Sequence, residues 1–307
     1  MVRVVSEKTE AALAQVHRYP VYCKGKPMKE FIFVHSPGFD TEEKLQRCLE
    51  LGIAHLERKA TEKKIIVNLF YQQDIRPNAS QINFDKEESR HINKVLRKKE
   101  GDLLHITNGN GQLFTTEILS SSPKNCIATV LNIELKKPLP YSLHMAVAPT
   151  KLNDRFEWFL EKATEMGITE ITPIICDHSE RKVIKKERYE KIIVSAMKQS
   201  LSCYLPKLND AIPFSKFLEL PHSENFKGIA HCDDDVSKVH LKNVVNPGSS
   251  YLILIGPEGD FSKTEVKNAS KLGFKAISLG DRRLRTETAA IAVTGIIAFS
   301  FDSLAVI

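Results

Sequence analysis

The chain is short of the features that mark metal, membrane and disulfide proteins. Its 307 residues hold six scattered cysteines (Cys23, Cys48, Cys126, Cys176, Cys203 and Cys232), none in a Cys-x-x-Cys pair. That spacing argues against a zinc ribbon and suits reduced thiols in a cytoplasmic protein. No apolar run is long enough to span a membrane. The opening residues, Met1-Val2-Arg3-Val4-Val5-Ser6-Glu7-Lys8, lack the apolar core of a secretory signal. A cytoplasmic location with no membrane contact is therefore expected. There is one tryptophan, Trp158.

What is present is an ordinary globular composition, 42% hydrophobic and 27% charged, with a net charge of +6. The charge is a mild pointer to nucleic acid, because many basic proteins bind none. Basic residues do cluster, however. Arg97-Lys98-Lys99 follows Arg90 and His91, and Arg181-Lys182 precedes Lys185, Lys186 and Arg188. Such runs are usually solvated faces. Together with the arginines near the C-terminus they favour an RNA-binding surface, with Arg90, Arg97, Lys98, Lys99, Arg181 and Lys182 as candidate contacts.

The chain divides into three stretches. Residues 1–66 have no assignable function; Phe31–Val34 reads as a strand, Thr41–Gly52 as a helix and Arg58–Lys64 as a linker. Residues 67–140 carry short β runs with one helix, about Glu87–Arg97, among them. Asn108-Gly109-Asn110-Gly111 lies between two runs and signals a hairpin, since glycine and asparagine tolerate positive φ. This stretch reads as a small β-barrel. Residues 141–307 alternate strands and helices, the pattern of a parallel α/β sheet. Within them, Phe156, Phe159, Leu160, Ala163 and Met166 form a helical stripe with Trp158 in or beside it, stopped by Gly167. Ser262 and Glu265 form a capping box. The last helix, about Glu287–Phe301, is apolar nearly all round, so it should be buried on several sides, with a second subunit as one possible cover.

Two loops carry the chemistry. Tyr251–Ile255 runs into Gly256-Pro257-Glu258-Gly259, and Lys275–Leu279 runs into Gly280-Asp281-Arg282-Arg283-Leu284-Arg285-Thr286-Glu287-Thr288. Each leaves a strand and enters a helix. A pair of such turns at the carboxyl end of a parallel sheet makes a ligand crevice. The first is no Walker loop, because no Gly-Lys-Ser/Thr follows, and its Gly-x-x-Gly spacing is not that of a dinucleotide fingerprint. The arginines suit phosphate recognition or orientation of a base. Thr286 could be no more than a helix cap, and Glu287 no more than a carboxylate favoured by the helix dipole. His231-Cys232-Asp233-Asp234-Asp235 offers metal-ligand types, but adjacent strand residues point to opposite faces, so no metal is expected there.

The two loops resemble those of the RsmE family, the 16S ribosomal RNA uridine-N3 methyltransferases of the SPOUT superfamily. Glu161-Lys162-Ala163-Thr164-Glu165-Met166-Gly167 is similar to the family's KATELG helix. Lys198-Gln199-Ser200 with Leu205-Pro206 is similar to its QS…LP segment, although Ser202 stands where that segment commonly has a basic residue. Ser179-Glu180-Arg181 and His91-Ile92 through Gly101-Asp102 also match. The resemblance runs from about Val67 to the C-terminus.

It implies an α/β protein with a C-terminal SPOUT trefoil-knotted domain and an N-terminal PUA-like β-barrel, forming a homodimer. It implies S-adenosyl-L-methionine held by Ile255, Gly256, Pro257, Glu258 and Gly259, and by Leu279, Gly280, Leu284, Arg285, Thr286, Thr288 and Ala289. Arg285, then Arg282, are the expected catalytic cations. Glu287 is a candidate proton acceptor, as is Glu258, with water as the alternative. The implied partner is 16S rRNA within the small ribosomal subunit. A knotted enzyme with another RNA target, or a non-catalytic ribosome-binding factor, would share much of this pattern.

Overall fold

The computed structural model describes residues 68–301 apart from 77, 234–236 and 247, together with five short strands among the first 34 residues. The chain forms two compact units, 1–65 and 66–307. In the first, β1 (Glu7–Lys8), β2 (Val16–Tyr19) and β5 (Phe31–Val34) make an antiparallel sheet, and β3 (Tyr22–Cys23) pairs with β4 (Lys26–Pro27). The strand expected at Phe31–Val34 is β5. The helix expected at Thr41–Gly52 and the linker at Arg58–Lys64 lie outside the described residues.

The second unit begins with a five-stranded sheet. Its members are β6 (Leu69–Tyr71), β7 (Gln81–Asn83), β8 (Leu103–Thr107), β9 (Gln112–Ser121) and β10 (Cys126–Leu135), in the order β6-β8-β9-β10-β7. Its core gathers Phe70, Phe84, Ile92, Ile106, Phe114 and Ile118. The helix expected between β7 and β8 is present over Lys86–Val95, but only its first part is regular. Regular α1 (Lys86–Arg90) is capped by the Asp85 carboxylate, which accepts the Glu88 N–H at 2.8 Å. It then widens into a π turn over His91–Val95. The glycine turn between β8 and β9 is real: Gly109 and Gly111 have φ of 77° and 86°, and a Cβ at Gly111 would overlap the Tyr204 hydroxyl.

The rest of the unit is a parallel sheet wrapped by helices. In chain order it comprises β11 (Ser142–Val147), α2 (Asn153–Met166), β12 (Glu170–Ile175), α3 (Lys186–Gln199), β13 (Lys207–Leu208) and β14 (Ile212–Pro213). It continues with α4 (Phe214–Glu219), β15 (Phe226–Ala230), β16 (Val239–His240), β17 (Ser250–Ile255), α5 (Lys263–Lys271), β18 (Lys275–Ser278) and α6 (Thr286–Phe299). The strand order is β13-β12-β11-β17-β15-β18-β16, with β14 beside β12. Strand β17 is apolar at five successive positions because both faces are covered. Tyr251, Ile253 and Ile255 enter one core with residues of α2, α3 and α6, whereas Leu252 and Leu254 enter another with residues of α4 and α5.

Helix α6 packs against α2, β11 and β17. Gly295 permits the close approach to α2, since a Cβ there would lie 3.0 Å from Met166 Cε. Two local expectations need correction. Trp158 is 46% exposed and not packed with the α2 stripe; two positions beyond Phe156, it points to the opposite side of the helix. Thr286 is not the cap of α6. Arg285 is the capping residue, without a side-chain cap bond, and Thr286 is the first helical residue.

Candidate active site

The carboxyl ends of β17, β15 and β18 are neighbours in the sheet, and a cleft of about 630 Å³ opens there. That volume suits a small-molecule ligand. From the end of β17 and the loop after it come Ile255, Gly256, Pro257 and Glu258. From the loop after β18 and the start of α6 come Leu279, Gly280, Leu284, Arg285, Thr286 and Ala289. Two of the expected cofactor residues are not in this lining. Gly259 turns away and packs on His178, whose Nδ1 is 3.0 Å from the Gly259 carbonyl oxygen. Thr288 lies on the exposed side of α6.

The two loops are fixed to each other and to β15. The Thr286 hydroxyl donates to the Gly256 carbonyl at 3.0 Å in a buried bond. Gly256 has no room for a side chain, since a Cβ would lie 3.0 Å from the Phe261 ring. Asp260 takes a left-handed φ of 63°, and its carboxylate accepts the Cys232 N–H at 2.7 Å and the Phe261 N–H at 2.8 Å. Gly280 has φ of 125°, a conformation open to glycine, and its Cβ position faces empty space. At the far end of the first loop, Ser262 and Glu265 form both bonds of the expected capping box. Glu265 also accepts the Asp177 N–H at 3.0 Å, which fastens α5 to the end of β12.

The charged candidates separate into those that face the cleft and those that do not. Arg282 and Arg285 line it, as does Arg283, and all three are exposed. Glu287 is outside the lining. It is buried in the first turn of α6, with Arg155 Nε 3.7 Å from Oε1 and no hydrogen-bond partner on Oε2. Glu258 does line the cleft, and its Oε1 accepts the Lys151 N–H at 2.9 Å.

Of the basic residues expected to meet RNA, Arg90, Arg97, Lys99 and Lys182 are exposed and Lys98 is half-buried. Arg181 has a local role. Its guanidinium donates to the Thr150 carbonyl at 3.1 Å and the Lys151 carbonyl at 2.9 Å, holding the segment that reaches Glu258. Ser202, where a basic residue was expected, bonds the backbone of Tyr204.

His231, just after β15, also lines the cleft and is 8% exposed. Burial, followed by the charge of Lys238, lowers its pKa, so the ring is neutral near pH 7. Its neighbour Cys232 also lines the cleft. Burial and then Asp260 push that thiol up, which keeps it from acting as a ready thiolate.

Comparison with known proteins places this architecture. The family model described as an RNA methyltransferase domain matches residues 137–298, and that of the RNA methyltransferase PUA domain matches residues 84–131. The chain is 32% identical over 246 residues to ribosomal RNA small subunit methyltransferase E of Buchnera aphidicola subsp. Acyrthosiphon pisum (strain APS), covering 77% of this chain and 95% of that one. The chain belongs to the ribosomal RNA small subunit methyltransferase E family.

As a member of that family it is an RNA methyltransferase carrying a PUA domain. Solved structures agree in fold. A probable rRNA methyltransferase from Porphyromonas gingivalis superposes with a TM-score of 0.68 at 40% identity, covering 74% of this chain and 95% of that one. A ribosomal RNA small subunit methyltransferase E from Neisseria gonorrhoeae, solved bound to S-adenosyl methionine, superposes with a TM-score of 0.66 at 26% identity, covering 76% and 97%. Neither family model extends into residues 1–66.

Proposed function

We propose that this chain transfers a methyl group from S-adenosylmethionine to N3 of one uridine in the 16S rRNA of the small ribosomal subunit. The observation that carries this reading is the cleft between the two glycine loops, with Arg282 and Arg285 exposed on its wall.

The residues present suit the cofactor. Ile255, Leu279, Leu284 and Ala289 offer apolar surface for a purine, and Gly256 and Gly280 bring backbone close to it. Bound there, S-adenosylmethionine supplies a methyl already activated by its sulfonium. The protein must place N3 in line with that methyl, which is a positioning task. N3 of uridine carries a proton and attacks poorly until that proton is lost. A cation beside the base favours the anion, and Arg285 is assigned this role with Arg282 as the second cation. Glu258 lies on the cleft wall and is better placed than Glu287 to accept the proton. A paired target would have to leave its stack to enter.

In this reading residues 67–140 form a PUA-like barrel that presents Arg90, Arg97, Lys98 and Lys99 to RNA, and residues 141–307 form the knotted methyltransferase domain. The path of the chain supports a knot. After β18, on the far side of β15 from β17, the chain returns to lay α6 against β11 and β17, and Thr286 bonds to the loop it passes. A homodimer is supported by the outer face of α6, where Thr288, Ile291, Ala292 and Phe299 remain wholly or partly exposed.

The test is transfer of labelled methyl to small subunits from a strain lacking the modification, followed by mass spectrometry of the nucleosides. N3-methyluridine at one site is expected, with Arg285→Ala slowing kcat about 10²–10³-fold. A different methylated base, or no transfer, would reject the assignment.

A further inference from the structure

Among the described residues, one buried polar side-chain atom on the cleft lining lacks a hydrogen-bond partner. His231 is more than nine-tenths buried, on the cleft lining where the chain leaves β15 between the two loop-bearing strands. Its Nδ1 accepts the Asp233 N–H at 3.2 Å. A neutral imidazole that accepts at Nδ1 carries its proton on Nε2. That Nε2 is buried and has no hydrogen-bond partner. A buried N–H donor left without a partner costs free energy, and native proteins seldom retain one without a use.

Among the described residues, no neighbouring group meets this donor. Asp260, one of the nearby carboxylates, is committed to the Cys232 and Phe261 amides. The thiol of Cys232 is protonated and a weak acceptor. An acceptor arriving in the cleft would satisfy Nε2–H, and S-adenosylmethionine brings two kinds of oxygen, the ribose hydroxyls and the amino-acid carboxylate.

We propose that His231 is a binding and positioning residue of this cleft, its Nε2–H donating a hydrogen bond to an oxygen of S-adenosylmethionine. The inference rests on the cofactor reading above. Its consequence is that β15, as well as the two glycine loops, fixes where the cofactor lies. Asp260 supports the same arrangement by tying the first loop to the amide of Cys232, next to His231.

The test is calorimetric binding of S-adenosylmethionine and of 5′-methylthioadenosine, which keeps the ribose but lacks the carboxylate, to the full chain and to His231→Ala and His231→Gln. Loss of one donor should weaken S-adenosylmethionine about tenfold in His231→Ala. Glutamine presents an N–H donor near the Nε2 position and should restore much of the affinity, which a purely space-filling role would not produce. A deficit confined to S-adenosylmethionine assigns the carboxylate; an equal deficit for both ligands, rescued by glutamine, assigns the ribose. Unchanged affinity in His231→Ala, or a deficit that glutamine leaves as large as alanine does, overturns the proposal. Failure of the unaltered chain to bind S-adenosylmethionine would instead reject the cofactor reading.

Discussion

The hydroxyl of Thr286 is hydrogen-bonded to the carbonyl of Gly256, 3.0 Å away and thirty positions earlier in the chain. This bond joins the first residue of α6 to the first residue of the other glycine loop, and both line the cleft. Thr286→Val keeps the side-chain shape but leaves the carbonyl without that donor. A loss of about 1–3 kcal/mol in unfolding free energy is expected. Urea unfolding measures it, and calorimetry should show weaker S-adenosylmethionine binding, with Thr286→Ser restoring both.

Glu287 and Arg285 should separate in kinetics. Arg285 faces the cleft, whereas the Glu287 carboxylate is buried near Arg155. Single-turnover methyl transfer by Glu287→Gln should fall much less than the ~10²–10⁴-fold expected when a general base is removed. A loss of that full size, with cofactor affinity intact, would return proton transfer to Glu287.

Arg181 and Lys182 are adjacent basic residues with different predicted effects. Lys182 is exposed, so Lys182→Ala should weaken RNA binding similarly across sequences and reduce the salt slope by about 1, with thermal stability unchanged. Arg181 holds the Thr150 and Lys151 carbonyls. Arg181→Ala should therefore cost about 1–2 kcal/mol of stability, allowing for its partial exposure, as read by urea unfolding.

Acid should destabilise the fold through its buried imidazoles. Burial lowers the pKa of His144 from the ordinary 6.5, against the opposing pull of Glu170 and Glu224, and burial lowers that of His231 as well. Below that ordinary value the unfolded chain binds more protons than the folded one. These histidines therefore cost nothing above about pH 6.5, and stability falls as the pH drops from there through their lowered folded values. Urea midpoints measured between about pH 5 and 8 should show this decline, and His144→Gln should flatten part of it.

The sequence exposed the site more readily than its fastenings. The glycine loops were legible because each interrupts an apolar strand with residues that strands and helices avoid. The Ser262–Glu265 box was legible because its two bonds span three positions. Thr286 reads as a cap in the sequence because local rules offer its hydroxyl only its own helix, whereas the actual acceptor lies in a distant loop. Strand β7 is three residues long with Ile82 alone buried, too short for a pattern to mark it. In the sequence His231 is only one of a run of metal-ligand types. Its importance comes from a buried nitrogen that nothing meets, a property of the packed structure that no spacing announces.

The Thr286–Gly256 bond also has a consequence in time. One side of the cleft comes from β18, its loop and the start of α6, which are made after the strands they join. A growing chain that has completed β17 and the first glycine loop still has only half of the cleft. It gains the other half when Lys275–Ala289 emerges and folds back. On the function proposed above, an unfinished copy lacks half of the cleft that would hold its methyl donor.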